Sequence, residues 1–365
     1  MNEQAPEVRA GQRIMAGFEG TEAPPSLIER VRAGRIGGII LFKRNIESAG
    51  QTAALIASLQ VAALASPLEA PLLVGIDQES GRVSRLSDDF TTFPAARGFG
   101  DVGDASLTRE AARITGAELE AVGVNVDFAP VVDILTNPEC AVIGDRAFGE
   151  SPQIVSQMGE AVTQGLQETG VAACAKHFPG IGDMAPDPHD VLPASRLTLN
   201  DLRARELAPY RHLIRRTPPA CVMVAHAVFQ EIDAAKPASL SPVFLQEILR
   251  GELGFRGVAV TDDLDMGAIE DAADAALRAI LAGADIALIC HSEDAQERAC
   301  DAIAGVISAG DISPTQEEAS SDRIRRLKES YCRPNWRAEM LEVIGCEEHR
   351  EARGKILAAL EGARG

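Results

Sequence analysis

The chain has 365 residues, 46% of them hydrophobic but only 4% aromatic, so aliphatic side chains must fill most of its core. A net charge of −19 predicts a surface that repels nucleic acid and anionic membranes, and neither is an expected partner. The start lacks a secretion signal, no run approaches the ~18 apolar residues of a membrane span, and seven scattered cysteines without a CxxC pair favour the cytoplasm.

Eight short apolar runs alternate with longer amphipathic stretches along the chain. The runs are IMAGF (14–18), GIILF (38–42), LLVGI (72–76), VNVDF (124–128), AACAK (172–176), CVMVA (221–225), VAVTD (258–262) and IALIC (286–290). Runs this short and this apolar are typical of parallel strands that are covered on both faces. The stretches between them have helical periodicity, as in 107–123 and 152–170.

Glycine and proline mark the expected ends of these helices. A glycine that separates a helical pattern from the next strand is typical of a left-handed helix end, and the chain has Gly123, Gly170, Gly257 and Gly283 in such places. Ser151-Pro152 and Ser241-Pro242 have the pattern of an N-cap followed by a proline in the first turn.

Eight alternating strand–helix units predict an α/β fold, a single (β/α)8 barrel of the TIM type over residues 1–310. The main alternative, a doubly wound α/β fold, would need an unusually large sheet. After Gly310 the pattern changes, because Ser313-Pro314 begins a polar helix that runs to Tyr331. A further helix is expected from Trp336 to the end, so we interpret residues 311–365 as a C-terminal helical extension packed on the barrel.

Polar residues cluster where the predicted strands end. They are Lys43, Asn45, Asp77, Asp127, Lys176, His177, His226, Asp262, Asp263 and His291. In barrels of this type the active site lies at the C-terminal mouth. Titratable groups that converge there, while the strand interiors carry almost none, therefore predict a catalytic mouth.

Asp262 and Asp263 directly follow the run VAVT. Successive residues of a strand face opposite sides, so the two carboxylates are expected to have different tasks. We assign Asp262 to the chemistry, as a nucleophile or base. Asp263 is expected to cap the next helix or to support its neighbour by hydrogen bonding.

The segment KHFPGIGDMAPDPHDVLP (176–193) has too much proline and glycine for a helix or strand. It is either a solvated loop or a functional one. Its histidines and aspartates form no tight ligand pair such as HxxxH, so no metal is expected. The spacing of Asp187 and His189 instead suits a carboxylate that orients an imidazole for proton exchange near neutral pH.

Two further segments carry candidate binding residues. DQESGRVSR (77–85) offers Asp77 and arginines to sugar hydroxyls, although a helix cap with surface arginines is the alternative. IGDRAFGE (143–150) offers Arg146, for which a surface salt bridge is equally compatible. His226, His291 and Cys290 are expected to pack in the interior. Without a Walker loop, a strand-coupled GxGxxG or a GxSxG elbow, no nucleotide cofactor is expected.

Many blocks of the sequence occur in the order of a known family. They include GFEGTEAPP, GGIILFKRNI, GIDQESGRVSRL, NVDFAPVVDI, VIGDRAFGE, KHFPGIGD, KPASLSP, ELGFRGVAVTDDLDM and AGADIAL. In these blocks, across roughly residues 10–310, the chain resembles glycoside hydrolase family 3, and within it the bacterial β-N-acetylglucosaminidase (NagZ-type) branch. The resemblance implies a barrel and a retaining mechanism that releases terminal N-acetylglucosamine from peptidoglycan-derived fragments.

The resemblance also implies roles for individual residues. Asp262 matches the nucleophile, and His189 matches the general acid and base, with Asp187 as its partner. The family's sugar-contacting residues fall on Asp77, Arg85, Arg146, Lys176 and His177. Ser80, Ile181 and Pro188 depart from the usual family motifs, but none of them removes a proposed catalytic group.

Several alternatives remain open at the level of sequence. Imidazole, unlike a carboxylate, does not repel an incoming anion, so a phosphorylase of the same fold is the closest alternative. A β-glucosidase and a catalytically inactive sugar-binding barrel are the others. The expected partner is a small glycan or muropeptide, and the expected state is a monomer without cofactor or metal.

Overall fold

A computed structural model describes residues 4–184, 192–266, 269–333 and 338–362. Eight parallel strands close into a barrel. These strands are β1 Ile14–Ala16, β2 Gly38–Leu41, β3 Leu73–Ile76, β4 Val126–Asp127, β5 Ala172–Phe178, β7 Cys221–Val224, β10 Val258–Asp263 and β11 Ile286–Ile289. Their order around the barrel is β1-β11-β10-β7-β5-β4-β3-β2. Each of the eight apolar runs contributes one strand, so the predicted (β/α)8 barrel is confirmed.

Helices surround the barrel and follow most of its strands. The α-helices are α1 Pro6–Gly11, α2 Pro25–Arg32, α3 Ala49–Leu64, α4 Ala96–Val102, α5 Ala105–Val122, α6 Pro152–Glu168, α7 Leu199–Ala204, α8 Leu207–Arg216, α9 Ala272–Ala282, α10 Glu293–Ala309, α11 Pro314–Tyr331 and α12 Glu347–Gly362. Short 3-10 turns span Lys43–Asn45, Gly144–Arg146, Ala238–Leu240 and Ala338–Val343, and a π-helix spans Val243–Glu252. Every helix among the described residues is too short or too polar to traverse a lipid bilayer.

The core follows from the composition of the strands. Side chains that point into the barrel form one apolar layer, which includes Met15, Ile40, Leu73, Val126, Val260 and Leu288. Outward-facing strand residues pack against the helices in two larger clusters. Both faces of each strand are thus covered, which is why the runs show no polar alternation.

The expected helix ends are correct in part. Asp104 caps the start of α5 by accepting hydrogen bonds from the amides of Ser106 and Leu107, and Gly123 ends it with φ of 93°. Gly257 was wrongly expected to end a helix, since Gly254 supplies the left-handed residue with φ of 72°. Gly257 instead directly precedes β10, and a Cβ added to it would be 2.4 Å from the carbonyl oxygen of Ala220, just before β7.

The last two helices contact different parts of the barrel. Ile324 and Leu327 of α11 join the apolar layer inside the barrel, so α11 closes its N-terminal end. Ile356 and Leu360 of α12 pack in the outer cluster that also contains residues of α4 and α5. The chain after residue 310 therefore reaches from the closed end of the barrel back towards its side.

A small three-stranded sheet lies apart from the barrel. It comprises β6 Ala194–Ser195, β8 Val228–Phe229 and β9 Asp233–Pro237. β6 pairs in parallel with β8, which follows β7 by a few residues. The segment 176–193 was expected to contain neither helix nor strand, but its residues 176–178 belong to β5, and β6 begins directly after it.

Candidate active site

The C-terminal mouth of the barrel carries a buried network of ion pairs. The ammonium of Lys176, at the end of β5, lies 2.7 Å from Asp77 Oδ1 and 2.5 Å from Glu79 Oε1. Only 2% of the lysine side chain is exposed. Burial alone would lower the pKa of Lys176, but the two carboxylates outweigh burial and raise it. The lysine is therefore a permanent cation at the mouth.

Glu79 joins the loop after β3 to the loop after β4. Its carboxylate accepts two hydrogen bonds of 2.8 Å from the guanidinium of Arg146, in addition to the contact with Lys176. Burial opposes its charge, but Lys176 and Arg146 lower the pKa of Glu79 to about 2. Arg146 thus belongs to a buried network rather than to a surface salt bridge.

His177 is held between Arg146 and Asp133. Its Nδ1 lies 2.7 Å from Asp133 Oδ2, and its Nε2 lies 3.2 Å from Arg146 Nη2. An arginine only donates hydrogen bonds, so Nε2 accepts in this contact and Nδ1–H donates to Asp133. The second oxygen of Asp133 accepts from the amide of Ile181, which fixes the start of the following loop.

Asp262 stands at the end of β10, next to Asp263. Burial alone would raise its pKa, but the rings of His177 and His226, the amide of Asp263 and the charge of Lys176 lower it below the usual value. The Asp263 amide lies 2.9 Å from Asp262 Oδ1. Asp262 is therefore an ionised carboxylate within electrostatic range of the lysine–histidine group.

Asp263 turns towards the adjacent loops instead. Its Oδ1 accepts hydrogen bonds from the amides of Asp265 and Cys290, at 3.0 and 3.2 Å. Burial raises the pKa of Asp263, in contrast to Asp262. Neighbouring residues of one strand thus have the different surroundings that their alternation predicts.

The rim of the mouth is aromatic and basic. Arg85 Nη2 lies 3.5 Å from Asp77 Oδ2, and the Arg85 guanidinium carbon lies 5.7 Å from the ring centre of Phe42. His291 stacks on the same ring at 5.9 Å between centres. Half of the His291 side chain is exposed, so the expectation that it packs in the interior was wrong.

Two polar residues at or after strand ends, Asp127 and Asn45, make hydrogen bonds to the backbone of neighbouring loops. Asp127 is fully buried, and its Oδ1 accepts a hydrogen bond from the amide of Gln78, while burial raises its pKa well above the usual value. Asn45 is also fully buried and donates to the carbonyl oxygens of Phe18 and Gly20. Both residues thus hold neighbouring loops, and Asp127 also lies within electrostatic range of Lys176, Asp77 and Glu79.

Two site residues escaped the sequence analysis. Glu79 lies two residues after Asp77 and so shares its side of the chain, a pattern that could have revealed it. Asp133 is a fully buried charge in the apolar segment VVDI, where an acid needs a partner. Asp187 and His189 lie outside the described residues, so their assignment remains a prediction.

The structure describes both sides of the segment that carries Asp187 and His189. Before it, Asp183 Oδ2 accepts from the hydroxyl of Ser195, and the Asp183 carbonyl oxygen accepts from Asn137. After it, β6 pairs with β8. The described residues on the two sides of the segment therefore lie close together, since Ser195 and Asp183 are hydrogen-bonded.

Comparison with known proteins identifies related chains. The family model described as the glycosyl hydrolase family 3 N terminal domain matches residues 11–327. A β-hexosaminidase of Bordetella avium is 37% identical over 333 residues, which cover 88% of this chain and 90% of that protein.

Solved structures show the same similarity. A family 3 β-N-acetylglucosaminidase from a Paenibacillus species has a TM-score of 0.91 at 39% identity, covering 97% of this chain and 68% of that one. NagZ from Neisseria gonorrhoeae, in complex with N-trifluoroacetyl-D-glucosamine, has a TM-score of 0.79 at 30% identity, covering 95% of this chain and 98% of that one.

Proposed function

The chain belongs to glycosyl hydrolase family 3 and is a glycoside hydrolase of the β-hexosaminidase type, and we propose that it is a retaining exo-β-N-acetylglucosaminidase. In this proposal Asp262 forms a covalent glycosyl-enzyme, and His189 acts first as general acid and then as general base. The observation that carries the proposal is an ionised Asp262 beside a fixed ring of charged groups at the barrel mouth.

A glycosyl nucleophile must be charged and fixed below the anomeric carbon. The lowered pKa of Asp262 keeps it ionised, and the hydrogen bond from the amide of Asp263 limits its rotation. Attack by Asp262 on the anomeric carbon forms the glycosyl ester and breaks the bond to the leaving oxygen. Water then attacks the same carbon, which releases the sugar and returns the free carboxylate.

The remaining groups of the mouth suit the binding of a sugar. Asp77 accepts hydrogen bonds, and Lys176 and Arg146 donate them. The Lys176–Asp77 and Arg146–Glu79 ion pairs hold these groups in place. Such preorganised groups bind hydroxyls without first having to be ordered. N-acetylglucosamine as the bound sugar is supported by the related Neisseria enzyme, which is solved with an N-acylated glucosamine.

His189 is proposed as the proton shuttle because Asp187, two residues earlier, is suited to orient it. As an imidazolium it protonates the leaving oxygen, and as neutral imidazole it deprotonates water in the second step. Peptidoglycan-derived fragments are the proposed natural substrates, and their turnover is the proposed role. Phosphorolysis would appear as sugar 1-phosphate that forms only when phosphate is added.

The test compares Asp262→Ala and His189→Ala on an activated aryl N-acetylglucosaminide and on an unactivated disaccharide. Asp262→Ala should lose nearly all activity on both, because the reaction path itself is removed. His189→Ala should lose about 10²–10⁴-fold on the disaccharide and less on the aryl glycoside, whose leaving group needs little protonation. Asp274→Ala, which removes an exposed ion pair on α9, is the control for unspecific effects.

Mass spectrometry of the quenched reaction provides the second readout. In His189→Ala the aryl glycoside should form the glycosyl-enzyme quickly, and slow attack by water should let it accumulate on Asp262. Equal losses on both substrates would argue against His189 as the acid. A modified peptide that does not contain residue 262 would contradict the assignment of the nucleophile.

A further inference from the structure

A polar groove lies between the loop that follows β3 and the C-terminal helix α12. Its volume is about 550 Å³, and we call it the basic groove because Lys43, Arg82, Arg350 and Arg353 line it. Asp88 and Asp89 also contribute to its lining, with several hydroxyl side chains. A groove of this size can hold a sugar ring with a substituent.

The cations of the basic groove are largely unpaired. Arg82 lies 3.0 Å from Asp145, but in the described part of the chain Lys43, Arg350 and Arg353 have no carboxylate within ion-pair distance. Asp89 already accepts a hydrogen bond from the amide of Ala49 at the start of α3. Arg353 Nε donates a hydrogen bond to the carbonyl oxygen of Thr92, so Lys43 and Arg350 are the lining cations without a described side-chain partner. On a chain of net charge −19, these two cations favour an anionic ligand.

The basic groove adjoins the active-site mouth. Lys43 directly follows Phe42, the ring of which lies beside Arg85 and His291 at the rim. The loop that lines the groove also carries Arg85, whose guanidinium reaches Asp77. One face of this loop therefore meets the mouth and the other meets the groove.

A single buried carboxylate holds the two walls of the groove together. Glu118 of α5 is fully buried, and its Oε2 accepts a hydrogen bond of 2.7 Å from the amide of Thr91 in the loop. Its Oε1 contacts the amide of Gly345 at 2.9 Å and His349 Nδ1 at 2.7 Å. The C-terminal helix is thus fixed against the loop, so the groove is preformed.

We propose that the basic groove binds a carboxylate on the aglycone, the part of the substrate beyond the scissile bond. The inference rests on the proposed function. It adds a role in substrate selection for the C-terminal extension. A carboxylate near the second sugar ring would meet the guanidinium of Arg350, which is exposed and makes no described side-chain hydrogen bond.

The experiment uses three disaccharides with a non-reducing N-acetylglucosamine. N-acetylglucosaminyl-N-acetylmuramic acid carries a lactyl carboxylate, its lactyl amide has the same shape without the charge, and chitobiose lacks the substituent. The readout is the ratio of kcat/KM for the acid to that for the amide. We expect this ratio to exceed one in the wild type and to fall as salt screens the charges.

Three variants test whether the preference for the acid comes from the basic groove. Arg350→Ala should lower the ratio about fivefold, and Arg350→Glu should lower it further. Lys355→Ala, which removes an exposed cation of the same helix outside the groove, should keep the wild-type ratio. A ratio near one in the wild type, or one that Arg350→Glu does not change, would overturn the inference.

Failure of the proposed function has a different signature. It would appear as no release of N-acetylglucosamine from chitobiose or from an aryl N-acetylglucosaminide, and it would overturn both proposals together. Turnover of chitobiose and of both muramic acid derivatives at equal rates would overturn only the groove.

Discussion

Replacement of Glu79 by glutamine tests whether the buried ion network holds the mouth together. Glutamine keeps the shape of the side chain but removes the charge that Lys176 and Arg146 share. Arg146 would keep its contacts with His177 and with the carbonyl oxygen of Val142, and Lys176 would keep Asp77. The variant therefore leaves one buried positive charge without compensation.

The magnitude follows from the pKa of Glu79. The difference between its usual value of 4.5 and about 2 corresponds to ~3 kcal/mol of stability at neutral pH. This agrees with roughly 3–5 kcal/mol for the loss of one partner of a buried ion pair. Because the pKa is lowered in the folded protein, this contribution is complete above pH 4.5 and is lost as the pH falls towards 2.

The assay is the free energy of unfolding from urea titrations at several pH values. Glu252→Gln is the matched control, because Glu252 makes a similar two-bond pair with Arg203 at the surface. The control should cost at most about 1 kcal/mol. The difference between wild type and Glu79→Gln should be constant from neutral pH to pH 5 and should shrink below that.

Two results would refute this reasoning. If Glu79→Gln cost no more than Glu252→Gln, the buried network would not hold the loops after β3 and β4 together. If the difference persisted undiminished at pH 3, the loss would come from packing instead of from the charge.

Two other predictions concern the loop and the closed end of the barrel. Gly182→Ala should lower both stability and activity, because its Cβ would lie 2.0 Å from the carbonyl oxygen of Ile134. By contrast, the Cβ of Gly305→Ala in α10 would meet nothing within 4 Å, so this substitution should stabilise the protein by about 0.5–1 kcal/mol in thermal unfolding. Lys328→Met removes a buried cation whose pKa burial lowers to about 8 from 10.5, but it also removes the hydrogen bond of 2.7 Å to Gln12 Oε1, so its distinctive effect is on the pH dependence of stability. Between pH 8 and 10.5 the unfolded chain binds more protons than the folded protein, so the stability of the wild type should rise over this range and that of the variant should not. A parallel rise in both proteins would contradict the lowered pKa of Lys328.

The barrel was predictable because its signal is local and repeated. A strand covered on both faces needs a short apolar run, and all eight runs became barrel strands. Helix ends were less certain, as Gly254 and Gly257 show, since either glycine fits the local pattern. The sheet formed by β6, β8 and β9 was missed because its strands are short and its pairing joins distant residues.

The residues of the candidate active site were likewise predictable only in part. Asp77, Lys176 and Asp262 follow apolar runs, and the barrel rule alone places such positions at one end. The same rule included Asp127 and Asn45, which are fully buried and make hydrogen bonds to the backbone of neighbouring loops. The rule also missed Glu79 and Asp133. Glu79 holds Arg146 and Lys176 in place, and Asp133 holds His177.

The order of apolar runs and polar ends, read without any coordinates, was enough to define the barrel and to predict its catalytic end and the main titratable groups. Only the tertiary structure decided which of those groups face the mouth and which charges pair. It also brought the C-terminal helix against the loop after β3. The physical reason is that periodicity reports the neighbours of a residue along its own strand or helix. Ion pairs and grooves depend on segments that are far apart in the chain, and their positions are set by how the whole core packs.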